Sequence, residues 1–215
     1  GALHMKTSAK WLRFTALSLA FTFLFFSSAE SKPRDKSRWD KKYATEEFIF
    51  GKKPILFLED NVHLLQKGKT LDIAMGEGRN GVFLARQGFE VVGIDISAEG
   101  LNKAQQLASE YGVSIETKVV DLENADLGTN EYDLIICTYY LQRSLFPQIK
   151  KALKSGGIAL VETYNQDYLK YSQFNKKYLL ETNELLDVFK DFRVIKYQDF
   201  DNGQEAYSSI IAVKP

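Results

Sequence analysis

The chain has 215 residues, 45% hydrophobic and 26% charged, the balance of a globular protein able to bury a core. Its 28 basic and 28 acidic side chains cancel, but Lys6, Lys10 and Arg13 fall in a first stretch without acid, so the remainder is slightly acidic. That charge argues against a nucleic-acid binder, and one cysteine, Cys137, excludes an internal disulfide framework.

Gly1-Ala2-Leu3-His4 ahead of Met5 reads as a cloning remnant. A basic stretch then leads into the apolar run from Phe14 to Phe26, and Ser27-Ser28-Ala29 suits a signal-peptidase cut after Ala29. As a helix the run spans roughly 20 Å, short of the ~30 Å hydrocarbon core. Against export, Lys32, Arg34, Lys36, Arg38, Lys41 and Lys42 follow closely, which by the positive-inside count keeps the downstream side cytoplasmic. Residues 1–29 are therefore expected to hold the remnant plus a signal peptide, for an exported protein, or a membrane anchor with its domain on the cytoplasmic side. A misplaced start site is a third reading. Residues 30–42, charged and containing Pro33, read as a linker, and 43–215 as one domain.

Two aromatic-rich pieces open the domain: Arg38-Trp39-Asp40-Lys41-Lys42-Tyr43 and Phe48-Ile49-Phe50-Gly51-Lys52-Lys53-Pro54. Pro54 suits the first turn of a helix reaching about Leu65, with Ile55, Leu58, Val62 and Leu65 on one face. His63 on that helix has no acid or nucleophile to partner it and reads as a surface residue. A short strand ends near Ile73, followed by a turn with glycines at 76, 78 and 81 and a helix that stops at Gly88. The next apolar run, Phe89 to Asp95, ends in a carboxylate. Ser97 caps a helix carrying Leu101, Ala104, Leu107 and Ala108, which Gly112 terminates. Strands are expected from Val113 to Asp121, Tyr132 to Thr138 and Gly157 to Tyr164, with a helix over Leu145 to Leu153. Cys137 within its apolar strand reads as a buried, inert thiol. Thr182 is the expected cap of a helix holding Leu185, Leu186 and Phe189. Two β-rich runs, Phe192 to Phe200 and Ala206 to Val213, are joined by the hairpin signal Asp201-Asn202-Gly203. This alternation predicts an α/β fold: a doubly wound, mostly parallel seven-stranded sheet with one antiparallel strand.

A glycine turn after one strand and an acid closing the next is how α/β folds hold a nucleoside, and by itself it fits dinucleotides too. Asp72-Ile73-Ala74-Met75-Gly76-Glu77-Gly78 resembles the Asp-x-Gly-x-Gly-x-Gly loop of class I S-adenosylmethionine-dependent methyltransferases. Leu153-Lys154-Ser155-Gly156-Gly157 is similar to that family's entry to the fifth strand. The aromatic lead-in resembles that of the tellurite-resistance and thiopurine-type branch, where it lies over the cofactor as part of a lid. A helix packed on the sheet edge is the other reading. The resemblance covers about residues 38–214 and implies a Rossmann-like methyltransferase fold with S-adenosyl-L-methionine as cofactor. It places backbone around Ala74, Gly76 and Gly78 near the methionine moiety, with Asp72 near its ammonium and Arg79 near its carboxylate. Asp95 with Ile96 would take the ribose hydroxyls, Asp121 with Leu122 the adenine amine, and Thr138 would line the same crevice. Ala74 stands where the family has a glycine, and its methyl is accommodated if φ stays negative.

For the acceptor, Tyr139, Tyr140, Gln142 and Arg143 follow the fourth strand, and Glu162 and Tyr164 end the fifth on the same rim. Strand alternation lets one of the two adjacent tyrosines face the site. Tyr139, Arg143 and Tyr164 are the expected catalytic-side residues, Arg143 as the cation for an anionic acceptor. No metal-ligand spacing and no serine or cysteine nucleophile pattern stands out. There is no Asn/Asp-Pro-Pro-aromatic run, which argues against methylation of adenine in DNA. A visible base is also lacking, so the pattern favours a small soft nucleophile such as a thiol or chalcogen oxyanion. A quinol or other oxygen acceptor, and a non-catalytic cofactor-binding protein, are the rivals.

Overall fold

The computed structural model describes residues 31–215, so the expected leader over 1–29 lies outside the described residues. Strands β1 (Lys69–Ile73), β2 (Glu90–Asp95), β3 (Glu116–Val119), β4 (Tyr132–Thr138), β5 (Leu153–Tyr164), β6 (Arg193–Asp201) and β7 (Ala206–Val213) form one sheet in the order β3-β2-β1-β4-β5-β7-β6. Neighbours pair in parallel except around β7, which runs antiparallel to both β5 and β6. The expected single antiparallel strand is thus β7.

Side-chain alternation divides the core between two sheet faces. Ile135 and Cys137 of β4 and Ala159 and Val161 of β5 pack with α5 (Leu145–Ala152) and α6 (Glu184–Val188). Leu134, Ile136, Ile158 and Leu160 point to the opposite face, under α2 (Leu56–Asn61), α3 (Arg79–Arg86) and α4 (Ala98–Glu110). Both faces of the central strands are buried, which is why those strands read as continuous apolar runs. Burial pushes the Cys137 thiol up to about 12, with Asp72 adding to the effect, so it stays protonated.

Four local expectations change. The segment read as a linker is a helix, α1 (Ser31–Tyr43), which packs against α4. Tyr43 is buried and Asp40 accepts from Ser97 Oγ at 2.6 Å, so the helix is held by tertiary contacts that composition does not announce. Pro54 precedes α2 instead of opening it, and the residues after Asn61 tighten into a 3₁₀ turn, Val62–Leu64. Thr182 caps nothing: Asn183 precedes α6 in the left-handed region, and Glu184 Oε2 accepts from Glu181 N at 2.8 Å. The third strand is also shorter than expected. Among the described residues no helix is long and apolar enough to cross a membrane.

Candidate active site

In this strand order β1 lies between β2 and β4, so the loops leaving β1 and β4 diverge and open a crevice at the carboxyl ends of the strands. The first wall is the loop after β1. Ala74 takes φ +55°, contrary to the expected negative value, and so adopts a left-handed conformation that a methyl group disfavours. Gly76 (φ +56°) donates its N–H to Asp95 Oδ2 at 2.8 Å. The other oxygen, Oδ1, accepts from Ser97 N at 2.9 Å. Asp95 therefore fixes both the glycine loop and the start of α4, and burial raises its pKa against those hydrogen bonds. Gly78 and Gly81 serve packing: a Cβ on Gly78 would meet Ala104 Cβ at 2.6 Å, and one on Gly81 would meet Met75 Cε at 2.4 Å and Asp72 Oδ2 at 2.8 Å.

Asp72 is the least satisfied group here. It is buried, and Oδ2 has no hydrogen-bond partner. Burial raises its pKa to about 8, opposed by a backbone N–H from Gly81 and raised further by Asp95. An unpartnered buried carboxyl oxygen suits a cation, whose charge would favour the ionised form. Asp72 lies at the end of β1 just before the glycine loop, with Gly81 against Oδ2, and its chemistry fits the ammonium of an S-adenosylmethionine methionine group. Arg79 begins α3, donates from Nη1 to Phe50 O at 3.0 Å, and lies 5.8 Å from the Tyr139 ring centroid. Thr138 accepts from Asn80 Nδ2 at 2.9 Å, and Asn80 Oδ1 in turn accepts from Ile55 N at 3.0 Å. Ile96 is half-buried beside Asp95. Asp121 holds its own turn through Glu123 N at 3.1 Å, and Leu122 is buried with its carbonyl accepting from Gln142 at 3.0 Å.

The acceptor wall is aromatic. Tyr139 takes φ +53°, and its N–H donates to Glu162 O at 2.7 Å, which turns the chain out of β4 and sends the ring toward β5. Its ring lies 4.9 Å from Tyr164, which stacks on Tyr168 at 4.0 Å, and Phe174 meets both edge-on. Tyr207 of β7 joins at 6.4 Å from Tyr139. Tyr140 goes the other way, donating to Gln142 Oε1 at 2.7 Å, as alternation requires of one of the pair. Behind Tyr139 lies buried Glu162, which accepts from Ser209 Oγ at 2.6 Å and from the Tyr139 phenol. Burial raises the Glu162 pKa, and burial followed by Glu162 raises that of Tyr139. Tyr164 is likewise held well above its ordinary range, and Tyr207 at about 12, so these phenols are O–H donors at neutral pH.

Arg143 does not join this wall as a free cation. Its Nε and Nη2 donate to the two Glu184 oxygens at 2.7 and 2.8 Å, and Nη1 and Nη2 donate to the carbonyls of Lys177 and Leu179, each at 2.9 Å. The Glu184 charge neutralises it, and its forked donors clamp residues 177–184 instead. Arg143→Ala is therefore expected to cost about 1–2 kcal/mol of stability, discounted for its exposure. Cofactor affinity should stay within about twofold; thermal unfolding and calorimetry check the two parts. Glu77 and Lys103 carry no local sequence signal, because their partners lie 26–58 residues away.

The sheet order, the glycine loop and the acids that end β1 and β2 define the fold of a class I S-adenosylmethionine-dependent methyltransferase. Residues 34–206 match the family of the tellurite resistance protein TehB, and the chain belongs to that family. It is 26% identical over 198 residues to a probable S-adenosyl-L-methionine-dependent methyltransferase TehB of Haemophilus influenzae, covering 88% of this chain and 65% of that protein. A ubiquinone biosynthesis O-methyltransferase of Erwinia tasmaniensis is 34% identical over 106 residues, covering 46% of this chain and 43% of that one. The chain thus spans less than two thirds of both. The crystal structure of TehB from Haemophilus influenzae superposes with a TM-score of 0.63 at 22% identity, over 84% of this chain and 67% of that one.

Proposed function

We propose that the chain transfers the methyl group of S-adenosylmethionine to a small soft nucleophile, a thiolate or a reduced chalcogen oxyanion, seated among Tyr139, Tyr164, Tyr168 and Phe174. The observation that carries the reading is the state of the rim. It offers aromatic faces and protonated phenols, while its buried carboxylate, Glu162, is already engaged by Ser209 and Tyr139. His63 is exposed on the 3₁₀ turn ahead of β1, away from the crevice. An acceptor that arrives as an anion, or is strongly nucleophilic without losing a proton, suits such a wall.

When bound, the cofactor supplies an electrophilic methyl group on a sulfonium. The chain's part is to bind, align and exclude water. Asp72 would hold the ammonium, Arg79 the carboxylate, and Asp95 the ribose through lone pairs left beside those given to Gly76 and Ser97. The aromatic wall would set the acceptor in line with the methyl.

A second reading, an oxygen acceptor such as a quinol, has one observation in its favour. The Glu162 carboxylate, with its pKa raised, stands behind a phenol that could pass it a proton. Turnover against a panel of thiols, selenite, tellurite and quinols, with wild type and Glu162→Gln, separates the two. The soft-acceptor reading expects thiol or chalcogen turnover that this variant lowers by less than about tenfold. Quinol turnover alone, lost by about 100-fold or more in Glu162→Gln, would replace it with the general-base reading. Cofactor binding without transfer across the panel would favour a non-catalytic binding protein.

A further inference from the structure

Glu77 sits between the two glycines of the cofactor loop and has no part in the reading above. It is 3% exposed, and each of its oxygens is committed to the lead-in. Oε1 accepts from Ile49 N and Oε2 from Phe50 N, both at 3.2 Å. Lys103 of α4, itself nearly buried, donates from Nζ to Glu77 Oε1 at 3.0 Å, to Glu47 O at 2.6 Å and to Thr45 Oγ1 at 3.3 Å. Arg79 takes the Phe50 carbonyl. Segment 45–50 is thus held over the loop largely by polar contacts to residues 77, 79 and 103. Its apolar anchoring is confined to Phe48, half-buried against the core, and to the Phe50 ring edge-on to Tyr43; Phe50 itself is 46% exposed, and the chain beyond turns at Gly51 with φ +71° and open space around it.

These magnitudes argue against a purely stabilising role. Burying a carboxylate and an ammonium costs desolvation that pairing returns only in part, and apolar side chains of similar volume commonly hold a fold as well or better. What an ion pair supplies here is directional contact with two successive backbone N–H groups and a carbonyl. A segment fixed by a few such bonds is also among those that open at low free energy. Its anchor lies in the very turn whose backbone faces the cofactor.

We infer that Glu77 is a positioning residue that couples the cofactor loop to segment 45–50, so that the loop conformation which receives the cofactor also holds the segment closed over it. The inference rests on the cofactor reading above and concerns retention of the cofactor, whatever the acceptor. Filling the site would favour the closed segment, and the closed segment would slow escape, since both draw on one two-state element.

The test uses S-adenosylhomocysteine as the probe. In the wild-type chain it should slow amide hydrogen exchange at Ile49 and Phe50 by about tenfold or more. In Glu77→Gln that protection should disappear, and the probe should dissociate about tenfold faster while its association rate changes by less than about threefold. The double variant Glu77→Gln/Lys103→Met leaves no unpaired buried charge, so it serves if the single variant unfolds; it should show the same dissociation rate. Probe leaving the folded variants at the wild-type rate would overturn the coupling, as would unprotected Ile49 and Phe50 amides in the wild-type complex. Failure of the wild-type chain to bind the probe at all would overturn the cofactor reading, and this inference with it.

Discussion

Cofactor affinity is expected to tighten about tenfold per pH unit between about pH 6 and pH 8 and then level off, because Asp72 must shed a proton to receive an ammonium group. Burial holds its carboxyl at about 8, so at neutral pH the empty folded chain keeps that proton. A cation seated against the unpaired Oδ2 favours the ionised form, so binding below about pH 8 releases the proton to solvent. The sign for stability is opposite. The folded pKa is raised above the unfolded value, so without ligand this group's contribution is complete at acid pH and declines as pH rises through the window up to about 8. Calorimetry in buffers of different ionisation enthalpy counts the proton directly. Asp72→Asn should flatten the pH profile and weaken binding at pH 8, while easing the decline of stability with pH. A profile as steep in that variant as in wild type would assign the proton to another group.

Asp95→Ala should weaken binding of S-adenosylhomocysteine by about 1.5–3 kcal/mol, roughly 10- to 150-fold. The geometry points to the upper part of that range. Besides any ribose hydroxyls, the carboxylate holds Gly76 N and Ser97 N, so its loss frees the loop that faces the methionine group and the entry to α4. Asp95→Asn should be nearly as poor as Ala: an amide retains one acceptor oxygen and presents its NH₂ to an N–H that also needs an acceptor. Calorimetry paired with thermal unfolding separates lost affinity from lost fold. Unchanged affinity in a folded Ala variant would remove Asp95 from the cofactor site.

Where a feature depends on neighbours in the chain, the sequence by itself determined it. A continuous apolar run set out β4, β-rich runs on either side of a hairpin signal set out β6 and β7, and the carboxylates that close β1 and β2 could be placed because a strand end and the turn after it are adjacent in sequence. Ser97 as a cap and Gly88 and Gly112 as stops belong to the same class of local signal. Where a feature depends on which side chains meet across the fold, only the tertiary structure decided it. Arg143 looked like a free cation until the packing of α5 against the segment before α6 brought Glu184 to it from 41 residues away. Nothing near Glu77 in the sequence announces its partners; the fold brings Ile49, Phe50 and Lys103 of α4 to it from 26–28 residues away. Alternation allowed one tyrosine of the pair into the crevice, and the left-handed turn pinned by the Glu162 carbonyl selected Tyr139. Ala74 adopts the conformation expected of glycine because the loop it begins is fixed by Asp95 on the neighbouring strand. The linker became a helix because docking on α4 supplies what its polar composition lacks. Periodicity and capping act within a few residues, whereas charge pairing and strained backbone are set by the register of elements far apart in the chain.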